Sequence, residues 1–80
     1  MRLMRGSPKR NRSAAEVAGY IRNQLNDEGG PQAWDDFINV AIADPALDEI
    51  RREAEHIQMP PEKSGEKRLE ALLKRAEALL

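Results

Sequence analysis

Residues 29–45 read GGPQAWDDFINVAIADP, and this stretch carries the fold assignment. Gly29-Gly30 is turn chemistry. Pro31 suits the first turn of a helix, where an amide hydrogen would have no partner and the fixed φ is already helical. Residues 33–42, stepped at about 100° each, place Ala33, Trp34, Phe37, Ile38, Val40, Ala41 and Ile42 on an arc of roughly 200°. Asp35, Asp36 and Asn39 fill the remainder. So wide an apolar arc predicts contact with more than one neighbour, and hence a central helix over Pro31–Ala43. Asp44-Pro45 then forms a boundary: the carboxylate can cap, Pro45 can take the first helical position, and Pro45 disfavours the α conformation at Asp44.

The pattern repeats on either side. Ser13-Ala14-Ala15-Glu16 has the spacing of a capping box, and Ala14, Val17, Ala18, Ile21 and Leu25 share one face, with Tyr20 beside it. A helix over Ser13–Asn26 follows, ended by Asn26-Asp27-Glu28-Gly29-Gly30. Gly19 in its interior costs about 1 kcal/mol relative to Ala unless a neighbouring helix needs the space. After Pro45, Leu47, Ile50, Ala54 and Ile57 make a narrow stripe to Ile57, with Asp48 and Arg52 at i,i+4. Gln58 to Gly65, with Pro60-Pro61, reads as a stiff connector. Glu66–Leu80 is the fourth helix, with Leu69, Leu72, Leu73, Ala76, Leu79 and Leu80 on one side and Glu70–Lys74 as a further i,i+4 pair.

The expected architecture is therefore all-α: a single small bundle of three to four short helices over 13–80, preceded by a flexible basic arm over 1–12. Its core is expected at Val17, Ile21, Leu25, Trp34, Phe37, Ile38, Ala41, Leu47, Ile50, Leu69, Leu73 and Ala76. Eighty residues bury only about 60–65% of the surface they expose unfolded, so this core is thin.

Charge is unevenly distributed. The net charge of −1 divides into +5 on residues 1–12 and −6 on the rest. Arg2, Arg5, Lys9, Arg10 and Arg12 supply the positive end. Between Arg22 and Arg51 there is no base, while Asp27, Glu28, Asp35, Asp36, Asp44, Asp48 and Glu49 are all acidic. Such a division fits binding better than catalysis.

Several chemistries are disfavoured. With no cysteine there is no thiol nucleophile, disulfide framework or Cys-ligated metal. The start lacks the apolar core of a secretory signal, and no apolar run approaches the roughly 20 residues of a membrane span; the expectation is a soluble cytoplasmic protein. Asp35 and Asp36 diverge by about 100° on a helix and cannot share a proton as a dyad. Glu49, Glu53 and His56 share a face, and Glu53 with His56 has the Glu-x-x-His spacing of di-iron bundles. That site, however, needs the motif twice plus two more carboxylates, so a solvated charged face is expected. His56 is the only histidine, and Ser13 and Ser64 are accounted for as residues that start helices. No enzyme and no cofactor is expected.

Two binding functions remain. The favoured one is a protein-interaction module, an inhibitor or adaptor whose acidic helical surface (Asp27, Glu28, Asp35, Asp36, Asp44, Asp48, Glu49) meets another protein. The alternative is a nucleic-acid binder using Arg2, Arg5, Lys9, Arg10 and Arg12. In that reading the helices joined at Asp44-Pro45 resemble a helix-turn-helix in outline, but the would-be recognition helix opens with Asp48 and Glu49, which phosphate repels. A homodimer through the leucine-rich last helix is a further expectation; a membrane partner is not.

Overall fold

A computed structural model of the chain describes residues 10–59 and 61–80. Four helices follow one another: α1 Ala14–Leu25, α2 Gly30–Asn39, α3 Pro45–Glu55 and α4 Lys63–Ala78. The all-α bundle expected from the pattern is observed. α1 lies along α4 in the most extensive packing, α2 bridges α1 and α3, α3 returns to α4, and α1 also reaches α3 across the middle. The core is Val17, Ala18 and Ile21 from α1; Trp34 and Phe37 from α2; Leu47, Ile50 and Ala54 from α3; Leu69, Leu72 and Ala76 from α4; and Ile42 and Ile57 from connections. Leu25, Ile38 and Leu73 are half-buried against it rather than within it, and so is Ala41 within its connection.

Local chemistry starts the helices where it should. Ser13 and Glu16 form the reciprocal capping box, each side chain accepting the other's backbone amide. Asp44 Oδ1 accepts the amides of Ala46 and Leu47, with Pro45 behind it.

α2 departs from expectation. It ends at Asn39, and Val40 is already extended (φ −120°, ψ 120°). Segment 40–43 instead finds backbone partners elsewhere: the Arg10 amide donates to the Ala41 carbonyl at 2.8 Å, and the Ala43 amide donates to the Arg10 carbonyl at 2.9 Å. Ile42 is thus buried by an extended segment, not by a helix. The wide arc had counted Val40–Ile42 as helical; α2 packs against α1 and α3, whereas α1 and α3 each touch all three other helices.

The α2–α3 corner is held by a charged clamp. Asp48 Oδ1 accepts the Ile42 amide at 2.9 Å and Arg51 Nε at 2.7 Å; Arg51 Nη1 donates to the Ile38 carbonyl at 2.7 Å. Arg51 therefore caps a carbonyl left open at the end of α2. Asp48 pairs with Arg51 at i,i+3 and not, as its spacing suggested, with Arg52, because only Arg51 points toward the corner. Among the described residues, Glu70 and Lys74 form no ion pair.

α4 begins three residues earlier than expected. Its N-cap is Glu62, with no side-chain capping bond, and Ser64 lies inside the first turn rather than capping it. Gly65 allows the early start. A Cβ there would lie 3.1 Å from Pro61 Cβ and 3.2 Å from Ile57 Cγ2, so the helix sits closely against the end of α3 because this residue has no side chain. Gly19, by contrast, has nothing within 4 Å of a Cβ position and is simply tolerated. Leu79 and Leu80 follow the last helical residue and are 47% and 75% exposed, outside the core. Among the described residues no helix is long and apolar enough to cross a membrane.

Candidate interaction groove

The turn after α1 is built from hydrogen bonds that leave its side chains free. Asp27 takes the left-handed conformation at φ 56°. Its amide donates to the Gln24 carbonyl at 3.3 Å, and the Glu28 amide donates to the Asn23 carbonyl at 2.7 Å. This is the two-bond arrangement that normally carries glycine at the left-handed position. Aspartate is among the few other residues that visit that region, at some cost. Gly29 and Gly30 follow with φ of 85° and 75°, turning the chain into α2.

Beside this turn lies a depression of about 540 Å³. Pro31, Trp34 and Ile38 of α2 and Ile57 and Met59 beyond α3 give it an apolar lining; Asp27, Glu28 and Asp35 supply its acids. Gln24 Nε2 lies 3.2 Å from Met59 Sδ and holds that side chain across the end of α1. Trp34, the only tryptophan, packs its ring at 5.3 Å from Phe37, which stacks on Tyr20 at 5.1 Å. Its buried indole nitrogen has no hydrogen-bond partner among the described residues.

The seven acids of the base-free stretch thus separate into two groups. Asp27, Glu28 and Asp35 meet at the groove, are exposed, and form no ion pair among the described residues. The other four have structural work. Asp36 pairs with Arg12 at 3.2 Å, Asp44 caps α3, Asp48 clamps the α2–α3 corner, and Glu49 pairs with Arg75 at 3.2 Å. The Arg51 guanidinium, bonded directly to Asp48, holds that carboxyl below its ordinary value of 3.8; partial burial opposes this and the Ile42 amide assists.

The basic residues also separate. Arg2, Arg5 and Lys9, with the expected mobility of their segment, lie outside the described residues. Arg10 is exposed and is joined to the body through its backbone. Arg12 had been counted with the arm, yet its side chain is only 8% exposed. It lies over the Tyr20 ring at 4.8 Å and donates to Tyr20 Oη at 2.9 Å. An aromatic face and a carboxylate eight and 24 residues away hold it, which local sequence does not reveal.

Glu53 accepts from Arg75 Nη1 at 2.6 Å, so Glu49 and Glu53 together bracket one arginine of α4. His56 is exposed at the end of α3. Among the described residues no group of three or more His, Cys, Asp or Glu side chains is placed to hold a metal ion. Comparison with protein-family models, curated proteins and solved structures gave no match.

Proposed function

We propose that this chain is a protein-interaction module that binds a basic partner through the groove beside the α1–α2 turn. The observation that carries this reading is the convergence of three acids without ion-pair partners among the described residues, Asp27, Glu28 and Asp35, on an apolar depression. An apolar floor with a few convergent polar groups is the usual make-up of a binding site, and complementary charge steers the partner and selects it. The acidic surface is narrower than composition alone suggests: Asp36, Asp44, Asp48 and Glu49 serve the fold.

Binding nucleic acid through the basic end is a weaker reading, because Arg12 is taken up by Tyr20 and Asp36. The test is recovery from nuclease-treated native extract with the wild-type chain and with Glu28→Lys/Asp35→Lys, followed by reconstitution from purified components. A protein that survives nuclease, binds the wild type when pure and loses the double variant supports the proposal. Recovery of nucleic acid alone, or a purified partner indifferent to the double reversal, refutes it.

A further inference from the structure

We propose that the occupant of the groove is an amphipathic helix, its apolar face on Trp34, Ile38 and Met59 and its Lys or Arg side chains toward Asp27, Glu28 and Asp35. This rests on the reading of the groove as a binding site and adds the conformation and chemistry of what enters it.

An extended peptide needs a row of open amides and carbonyls to pair with, since unpaired backbone is costly once buried. Along α1, α2 and the turn between them, the groove offers no such row. α1 and α2 satisfy their own interiors, and the turn between them spends the amides of Asp27 and Glu28 on the Gln24 and Asn23 carbonyls. Among the described residues, extended pairing occurs only where Arg10 meets Ala41 and Ala43, beyond the opposite end of α2, and there it is already satisfied within the chain. A helix brings its own hydrogen bonds and asks the groove only for apolar contact.

The lining suits that demand. Ile38 and Met59, half-buried beside the buried Trp34, are the apolar side chains that the i, i+3 and i+4 positions of a second helix can meet. Met59 is unbranched and polarisable, so it adjusts to the side chain it meets. Charge then selects the partner: three acids favour a helix bearing Lys or Arg and disfavour an acidic helix or a phosphate backbone.

The probe is a synthetic peptide with leucines at i, i+3, i+4 and i+7 and lysines between them. A second peptide carries a central proline, which breaks the helix and leaves the charge unchanged. Trp34 fluorescence reports binding. Asp35→Lys is compared with Glu70→Lys, which changes net charge equally at an exposed α4 position away from the groove. Expected are saturable binding of the helical peptide, at least about tenfold weaker binding by Asp35→Lys, less than about twofold by Glu70→Lys, and at least about tenfold weaker binding of the proline peptide. If the proline peptide binds equally well and remains sensitive to Asp35→Lys, the groove reading stands and the helix inference is overturned. If the two reversals weaken binding alike, attraction is diffuse and both fall. If neither peptide binds saturably, the helix inference is overturned, while the purified-partner experiment still decides the groove.

Discussion

Asp48→Ala removes the centre of the clamp at the α2–α3 corner. The carboxylate accepts from Arg51 Nε at 2.7 Å and from the amide of Ile42, a residue only 1% exposed. A hydrogen bond to a charged group contributes about 1.5–3 kcal/mol, and a buried donor left without an acceptor costs about 1–3 kcal/mol. The Asp48 side chain is 22% exposed, so water recovers part of the loss. The expected cost is therefore about 2–3 kcal/mol, a large share of the stability of an 80-residue domain. Urea unfolding followed by helical circular dichroism should show it as a midpoint lower by about 2–3 M, taking a slope near 1 kcal/mol/M. Asp48→Asn keeps an acceptor oxygen for Ile42 and should lose only about 1 kcal/mol. The folded pKa of Asp48 is depressed below 3.8, so its stabilisation is fully present above that value and is lost as pH falls through the folded pKa. The gap between wild type and Asp48→Ala should accordingly narrow below about pH 4. An alanine variant within about 0.5 kcal/mol of wild type at neutral pH would refute the clamp.

Two glycines of α1 and α4 should respond oppositely to alanine. Gly19→Ala fills open space and should raise stability by about 1 kcal/mol, whereas Gly65→Ala meets Pro61 and Ile57 and should lower it, both read from thermal melts. Arg12→Ala should cost about 1–2 kcal/mol through its lost contacts to Tyr20 and Asp36, with Arg12→Lys recovering only part of the loss. Arg10→Ala should stay within about 0.5 kcal/mol of wild type, since Arg10 docks through its backbone; equal losses for the two arginines in chemical denaturation would contradict this division.

The helix starts at Ser13 and Asp44 were legible because each cap lies within three residues of what it caps. The end of α2 was not. Its Ile38 carbonyl is capped by Arg51, thirteen residues on, and Val40–Ile42 are apolar enough to extend a helical pattern that the chain abandons. Gly65 read as part of a connector because a missing side chain has no local signature; only the proximity of Ile57 shows why glycine stands there. Leu72 and Leu73 are neighbours on one apolar side, and which of them enters the core depends on where α1 lies across α4. The candidate site was legible as a region but not as residues. The base-free stretch marked seven acids, yet Asp36 and Glu49 are satisfied by Arg12 and Arg75, 24 and 26 positions away. Only tertiary packing separates those structural acids from the three at the groove. Asp27 was read as turn chemistry; its left-handed backbone, where glycine would be easier, emerges only from the conformation.

That conformation gives the most direct test of the groove as the binding surface. In the variant Asp27→Gly/Glu28→Gln/Asp35→Asn, three acids are removed, none of which forms an ion pair among the described residues. One left-handed aspartate becomes glycine, which should ease the backbone by about 0.5 kcal/mol. The measurement is a paired one: the melting temperature of the variant and its affinity, by Trp34 fluorescence, for the basic helical peptide. Expected is a melting temperature equal to or above wild type together with affinity lower by at least about tenfold, or about 1.4 kcal/mol. Unchanged affinity, or a fall in stability as large as the fall in binding, would contradict it.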